Sequence, residues 1–381
     1  MAHKLGFGMV ATLAALSLAG CASGNVHPST TAATSPSQAA PPTVAPPSPT
    51  STPSLPTGFQ PERVSAISES DFWVLGTIGC TPTTCLPVIL HTVDAGKTFQ
   101  HIPAPTMIFL DGNPLTPGLP RVFDLRFADA SDGWVFGDQL WATHDGGEHW
   151  RQINLGLTVD QLEPGANGYV YSTLENCPAS GSPCVYRLMR SQAATDTWSD
   201  ISPPGSPVGR PVIGVHGDTL WVMYFNRGTP LEWISHDDGK LWVRGSMPCE
   251  PDLLGSFDPV STSVIWAFCA TGNFGEPWVS SNGGATFTTS PSAAGESSNG
   301  ATVAALSAEH AFVVDPGAGM LRVTTDGDRT FHSIAQLAGA QWAGFTDSEV
   351  GYVIVSEQPS GAMRLWRTTD AGAEWSMVSL A

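Results

Sequence analysis

The sequence predicts an all-β protein, a seven-bladed β-propeller with four-stranded antiparallel blades, set behind an export leader and a Pro-rich linker. Three observations predict it. An octapeptide recurs seven times at near-constant spacing, an aromatic-centred β-rich run precedes each copy, and the composition changes abruptly near residue 58. The expected organisation is a lipoprotein signal peptide over 1–20, a lipidated cysteine and Pro/Ser/Thr/Ala-rich linker over 21–57, and the propeller over 58–381.

The leader, "MAHKLGFGMVATLAALSLAGC", has a basic Lys4, an apolar run from Leu5 to Leu18 and small residues before Cys21. That is the order of an export signal, and the run is too short for a comfortable transmembrane helix. Leu18-Ala19-Gly20-Cys21 resembles the bacterial lipobox. The resemblance implies that Cys21 carries diacylglycerol and a palmitate-like acyl chain, which suffice for lasting membrane attachment. It places the protein on the outer face of the bacterial cytoplasmic membrane, or on the outer membrane where there is one.

The linker that follows is dominated by Ser, Thr, Pro and Ala and has no apolar periodicity from which to build a core. At about 3.1 Å per residue such a segment can hold a domain up to roughly 100 Å from the bilayer.

From there the repeat governs the chain. The copies are "TVDAGKTF" from Thr92, "THDGGEHW" from Thr143, "SQAATDTW" from Ser191, "SHDDGKLW" from Ser235, "SSNGGATF" from Ser280, "TTDGDRTF" from Thr324 and "TTDAGAEW" from Thr368. The third has lost the Asp and the Gly. Ahead of the copies stand strand-like runs centred on Trp73, Trp134, Tyr169, Trp221, Trp266, Phe312 and Tyr352. Aromatic and β-branched residues bounded by turn formers read as strands, and units of about 45 residues have the size of one blade.

The motif chemistry reads as architecture. Asp in a tight turn accepts nearby backbone N–H groups, Gly supplies positive φ, the Ser/Thr hydroxyl adds a local bond, and the final aromatic buries apolar area. A reaction needs its site once, whereas a turn is needed in every blade. Asp94, Asp145, Asp237, Asp326 and Asp370 are therefore expected to be turn-makers. The crowding of His144, Asp145, Glu148 and His149 is not expected to hold a metal, because the other copies lack the histidines.

These octapeptides are similar to the Asp-box, or BNR, repeats of sialidase-like propellers. The run "GWVFGDQLWATHDGGEHW", residues 133–150, resembles blades of photosystem II assembly-factor propellers. The resemblance implies that the boxes join the third and fourth strands. It also implies that the binding face is the opposite one, built from second-to-third-strand and blade-to-blade loops. On that face the blade-to-blade insertion "PAPTMIFLDGNPLTPGLP", residues 103–120, carries Met107, Phe109 and Leu110. It reads equally as a contact patch or as local core folded over the mouth. Asp124 and Arg126 alternate with Phe123, Leu125 and Phe127 on the innermost strand of blade two, where they can pair with each other or meet a ligand.

With Cys21 assigned to lipid, six of the seven cysteines remain, an even number in an exported chain. The expected disulfides are Cys80–Cys85, Cys177–Cys184 and Cys249–Cys269, the last linking the first and second strands of blade five. Their spacings do not match the paired zinc pattern.

A formal charge of −18 with only 16 Lys and Arg argues against nucleic acid. No cofactor and no metal are expected. The function expected is a lipid-anchored extracytoplasmic module, a monomeric propeller that presents a rigid face to a protein or envelope polymer and is not an enzyme. The alternative is a sialidase-like glycoside hydrolase acting on extracellular glycans. The chain lacks the Phe/Tyr-Arg-Ile-Pro motif of sialidases. It also has one propeller where xyloglucan-cleaving enzymes use two.

Overall fold

A computed structural model describes residues 56–380 apart from 82–84, 106–119, 178–182, 206–208, 226–230, 247, 250–253, 272–273, 290–294 and 297–299. Among the described residues the strands form seven sheets of four, each antiparallel and in up-and-down order. Blade 1 is β1 (Gln60–Ala66), β2 (Phe72–Ile78), β3 (Leu86–Thr92) and β4 (Gln100–Ile102). The innermost strands of the other blades are β5 (Val122–Phe127), β9 (Thr158–Pro164), β13 (Arg210–His216), β17 (Leu254–Pro259), β21 (Thr302–Ala305) and β25 (Ala340–Phe345).

The second strands carry most of the buried aromatic bulk. Trp73, Trp134, Tyr171, Trp221, Trp266, Phe312 and Tyr352 hold the same register in their blades, each one residue beyond the partner of the box Ser or Thr. All are essentially inaccessible to solvent. In blade 3 this residue is Tyr171, not the Tyr169 that the sequence suggested. Tyr169 lies two positions earlier on the same strand face and is only half-buried.

These aromatics also tie one blade to the next. The Trp221 indole donates to the Gly283 carbonyl at 3.0 Å and that of Trp266 to the Ser307 carbonyl at 2.7 Å, both in the following blade. The Tyr171 hydroxyl donates to Asp238 at 3.0 Å in the box of blade 4. Packing large flat side chains between sheets supplies the burial that a single four-stranded blade lacks.

An innermost strand leaves one edge unpaired, and its N–H groups need acceptors. Side chains of the neighbouring blade provide them. Ser65 accepts from Phe127 N–H at 2.8 Å, Gln161 accepts from Ile213 N–H at 3.0 Å, and Asp258 accepts from Ala305 N–H at 2.6 Å.

The repeat spacing alone does not say how the ring closes. Blade 1 takes its four strands from residues 60–102 and blade 7 from residues 340–377, so no strand is exchanged between the ends. Closure rests on packing: Phe72 meets Tyr352 at 4.9 Å between ring centroids within one apolar cluster shared by both blades. Two hydrogen bonds reinforce it, Met363 N–H to Gln60 Oε1 and Arg367 Nη2 to the Glu69 carbonyl, each at 2.7 Å.

Candidate functional site

The box turns are the most repeated polar feature. In blade 2, Thr143 Oγ1 donates to Asp145 Oδ1 at 2.8 Å and accepts the N–H groups of Asp145 and Gly147, while Asp145 Oδ1 accepts the His149 N–H at 2.9 Å. The same lattice surrounds Asp94, Asp237 and Asp370, and Asn282 takes the Asp position in blade 5. Asp326 accepts from Thr324 and Thr330 in the same manner. Bonds from the Thr98 and Thr330 hydroxyls and from the His149 N–H lower Asp94, Asp326 and Asp145 to about 2. The Leu241 and Glu374 N–H groups likewise lower Asp237 and Asp370.

The glycine of the motif has a second reason beyond its left-handed backbone. A Cβ on Gly147 would stand 2.7 Å from Ile102, and one on Gly372 would stand 2.4 Å from Phe312, in each case in the preceding blade. The turn is thus an inter-blade contact as well as a local motif.

The histidines divide. His149 Nδ1 lies 2.8 Å from Asp145 Oδ2 and is exposed. Asp145, Glu148 and His149 bring ligand-type atoms within 4.8 Å of one another, but all three are exposed and both Asp145 oxygens already serve the turn. His144 turns away from them. It is held between Asp132 at 2.7 Å and Asp196 at 2.9 Å. Burial works against its charge, but the two carboxylates outweigh it and raise its pKa.

In the centre of the ring, a cavity of about 610 Å³ is lined by the ends of innermost strands from all seven blades, toward the box side. Asp124 and Arg126 do pair, at 2.8 Å, and the pairing extends further. Arg126 reaches Glu163 of blade 3 at 3.4 Å, and Arg63 of blade 1 stands 3.7 Å from Asp124. Burial pushes the Asp258 carboxyl up to about 6, against the Ala305 N–H and with help from Glu163.

The opposite face holds a second concavity, about 330 Å³, between blades 2 and 3. It is lined by the 138–139 turn joining β6 (Gly133–Gly137) to β7 (Leu140–Thr143), by the 154–157 connection, and by the end of β10 (Tyr169–Asn176). Beside it Arg121 grips Asp138 through two bonds of 2.8 and 2.9 Å, and at the next seam Arg210 of blade 4 grips Asp160 of blade 3 through bonds of 2.8 and 2.5 Å. Glu175 lies among them with no hydrogen bond of its own among the described residues. Burial chiefly, and then Asp160, raise its pKa, partly offset by Arg210 and Arg121.

All three expected disulfides are present. Cys80–Cys85 and Cys177–Cys184 close the loops after β2 and β10 on this opposite face. Cys249 needs a correction: it precedes β17, so its bond ties the connection from blade 4 to β18 (Ile265–Thr271), not first strand to second. Cys21, Met107, Phe109 and Leu110 lie outside the described residues.

With this geometry established, comparison with solved structures is informative. A structure described as YCF48 bound to D1 peptide matches at TM-score 0.55 and 16% identity, covering 83% of this chain and 95% of that one. YCF48 from Cyanidioschyzon merolae matches at TM-score 0.53 and 17% identity, over 84% and 98%. The likeness shows the fold. A GH74 enzyme from Niastella koreensis matches at TM-score 0.34 and 14% identity, over 84% of this chain and 71% of its own, too loosely to bear on function. No protein-family model and no curated protein sequence matches the chain.

The sequence reading missed Glu163, Asp258, Glu175 and Asp196 as participants. Three of the four fall outside the repeat, and Asp196 falls in its degraded third copy, off the motif's Asp position. Each acquires its role from a neighbouring blade, which spacing along one chain does not reveal.

Proposed function

We propose that this chain is a lipid-anchored extracytoplasmic binding module that presents its loop face, opposite the boxes, to a protein partner. One observation carries the reading: the repeated polar groups are consumed in building the ring, whereas the opposite face keeps a groove and two disulfide-closed loops. Small disulfide loops hold a surface in shape and reduce the ordering cost of binding. The propeller described as YCF48 bound to D1 peptide, of like fold, holds a peptide, which supports a protein partner over a polymer. Cys21 is the proposed anchor. Met107, Phe109 and Leu110 remain proposed contacts of that face, and Asp124 and Arg126 remain proposed contacts only for a ligand entering the central cavity, with their mutual ion pair as the competing role.

The test is cross-linked capture from native membranes with the wild-type chain and Cys21→Ser, alongside labelling with a palmitate analogue. Label at Cys21, membrane release of the variant, and one protein enriched by both forms are expected. Capture of no protein by the wild type would overturn the binding reading.

A second reading has one specific observation in its favour. Asp258, raised to about 6, shares the central cavity with Glu163, which is paired to a cation. Two carboxyl groups in different surroundings are what a glycoside hydrolase requires. Release of reducing sugar from envelope glycans, abolished by Asp258→Asn, would favour it. Equal release by the variant and a no-protein blank would remove it.

A further inference from the structure

The seam that closes the ring carries a groove that the packing of blades 1 and 7 leaves open. Its volume is about 550 Å³, and it lies at the ends of β1 and β27 (Ala362–Thr368) that face away from the boxes. Pro56 and Phe59, ahead of β1, form one wall. Met363, Leu365, Val378 and Met377 of β28 (Ser376–Met377) form the other. Met377 is 55% exposed, an unusual position for a large apolar side chain in a concave wall.

The hydrogen bonds show how the groove arises. The outward edge of β27 is used at every second residue. The Arg367 carbonyl accepts the Ser376 hydroxyl at 3.3 Å, and the Leu365 carbonyl accepts the Val378 N–H at 2.8 Å. At Met363 the fourth strand no longer serves. Its N–H donates instead to Gln60 Oε1 of blade 1 at 2.7 Å. The chain ahead of β1 thus stands beside the edge that β28 leaves uncovered, and the groove is the space between them.

Leu55 is joined to Pro56, so its Cα lies about 3.8 Å from that of a wall residue. Between residues 22 and 57 it is the one Leu, Ile, Met, Phe, Tyr or Trp. Prolines follow both Thr52 and Leu55 in "TPSLP", residues 52–56. A residue before proline is held extended and proline fixes its own φ, so ordering these four residues costs less than ordering an ordinary linker stretch. The stretch is also uncharged, so it meets apolar walls without desolvating an ion.

We propose that Thr52–Leu55 occupies this groove, with the Leu55 side chain against Met363, Met377 and Val378, as a strap across the closing seam. The tether then ends at Ser51 rather than at Thr57, and ring closure gains a third component beside ring packing and the two hydrogen bonds. This stands apart from the protein-binding reading.

The test uses the full chain as wild type, Val44→Ser, Leu55→Ser and Met377→Ser. Proteinase K digestion with mass spectrometry of the resistant fragment reads where the linker becomes protected. Wild type and Val44→Ser are expected to leave a fragment that begins at or before Thr52, and the two groove variants one that begins at Pro56 or later. Leu55→Ser and Met377→Ser should each melt about 3 °C below wild type, and Val44→Ser with it. A half-exposed methionine on an empty groove would show no such loss. The proposal is overturned if the wild-type fragment begins at Pro56 or later, or if the groove variants trim and melt as wild type does. Two measurements address other occupants. Anilinonaphthalene sulfonate binding wild type as strongly as Leu55→Ser would leave the groove open to an external apolar ligand. Dimerisation in sedimentation that Met377→Ser loses and Leu55→Ser keeps would give the groove to a second copy. Either result overturns the proposal.

Discussion

Blades 2 and 3 meet at a seam where one has the box and the other has lost it. The blade 2 turn is self-contained: Thr143 and Asp145 satisfy each other and the local N–H groups. Blade 3 has Ala193 and Thr195 where the Asp and Gly would stand, and its turn places Asp196 at φ +51°. That carboxylate, with its side chain 1% exposed, reaches across the seam to His144 at 2.9 Å, Arg151 at 2.8 Å and the Trp134 indole at 3.3 Å. In blades 4 and 5 the second-strand Trp binds a backbone carbonyl of the next blade, and here it binds Asp196. The difference teaches that the box joins blades as well as closing turns. Where its local chemistry is lost, an ionic tie between blades takes over the joining.

The comparison can be broken in order of size. Trp134→Ala removes the aromatic that both blades share and should cost about 3–5 kcal/mol in urea unfolding. Asp196→Ala strands His144, Arg151 and the Trp134 N–H together. A loss of about 2–3 kcal/mol is expected, below the range for fully buried pairs because Arg151 is largely exposed. Asp145→Ala removes only turn bonds and should cost about 1 kcal/mol, as loss of a capping side chain does. Equal losses from Asp196→Ala and Asp145→Ala would contradict the distinction between tie and turn.

The two regions should also respond to pH with opposite sign. Asp145 is lowered to about 2 from 3.8, so its stabilisation is present above pH 3.8 and is lost as pH falls toward 2. His144 is raised above 6.5, so its stabilisation is complete below pH 6.5 and is lost as pH rises through the raised value. In Tm measured against pH, His144→Gln should flatten the alkaline limb and leave the acid limb unchanged.

Glu232 sharpens the contrast from the other side. Like Asp196 it is buried at a seam, with its carboxyl against Gly284 of blade 5, but neither oxygen has a partner among the described residues. Burial alone pushes it up to about 9 from 4.5, so it destabilises the fold progressively as pH rises from 4.5. Glu232→Gln should therefore stabilise the protein by about 2 kcal/mol at pH 7, with the gain shrinking toward pH 4.5. A gain independent of pH would contradict the assignment of the cost to ionisation.

Much of the architecture was legible because a repeat states its own period. The blade number and the presence of disulfides follow from local spacing, and the structure bears them out. The reading slipped where two positions on one strand face look alike, as at Tyr169 and Tyr171. It also slipped where the third box had no motif to read, so Asp196 passed as part of a degraded turn. Asp124 and Arg126 were found because they alternate on one strand. Glu163, which extends their network, lies 37 residues beyond Arg126 and becomes its neighbour only when blade 3 closes on blade 2.

The central claim is that the boxes build the ring while the opposite face binds. The most direct measurement compares two variants for affinity toward the captured partner: Asp145→Ala with Asp370→Ala in the boxes, and residues 106–119, between β4 and β5, replaced by a short Gly/Ser loop. The account predicts that the box variant, once shown to be folded, binds within about two-fold of wild type, while the loop variant loses at least about ten-fold. Loss of binding in the folded box variant with the loop variant unaffected would contradict it.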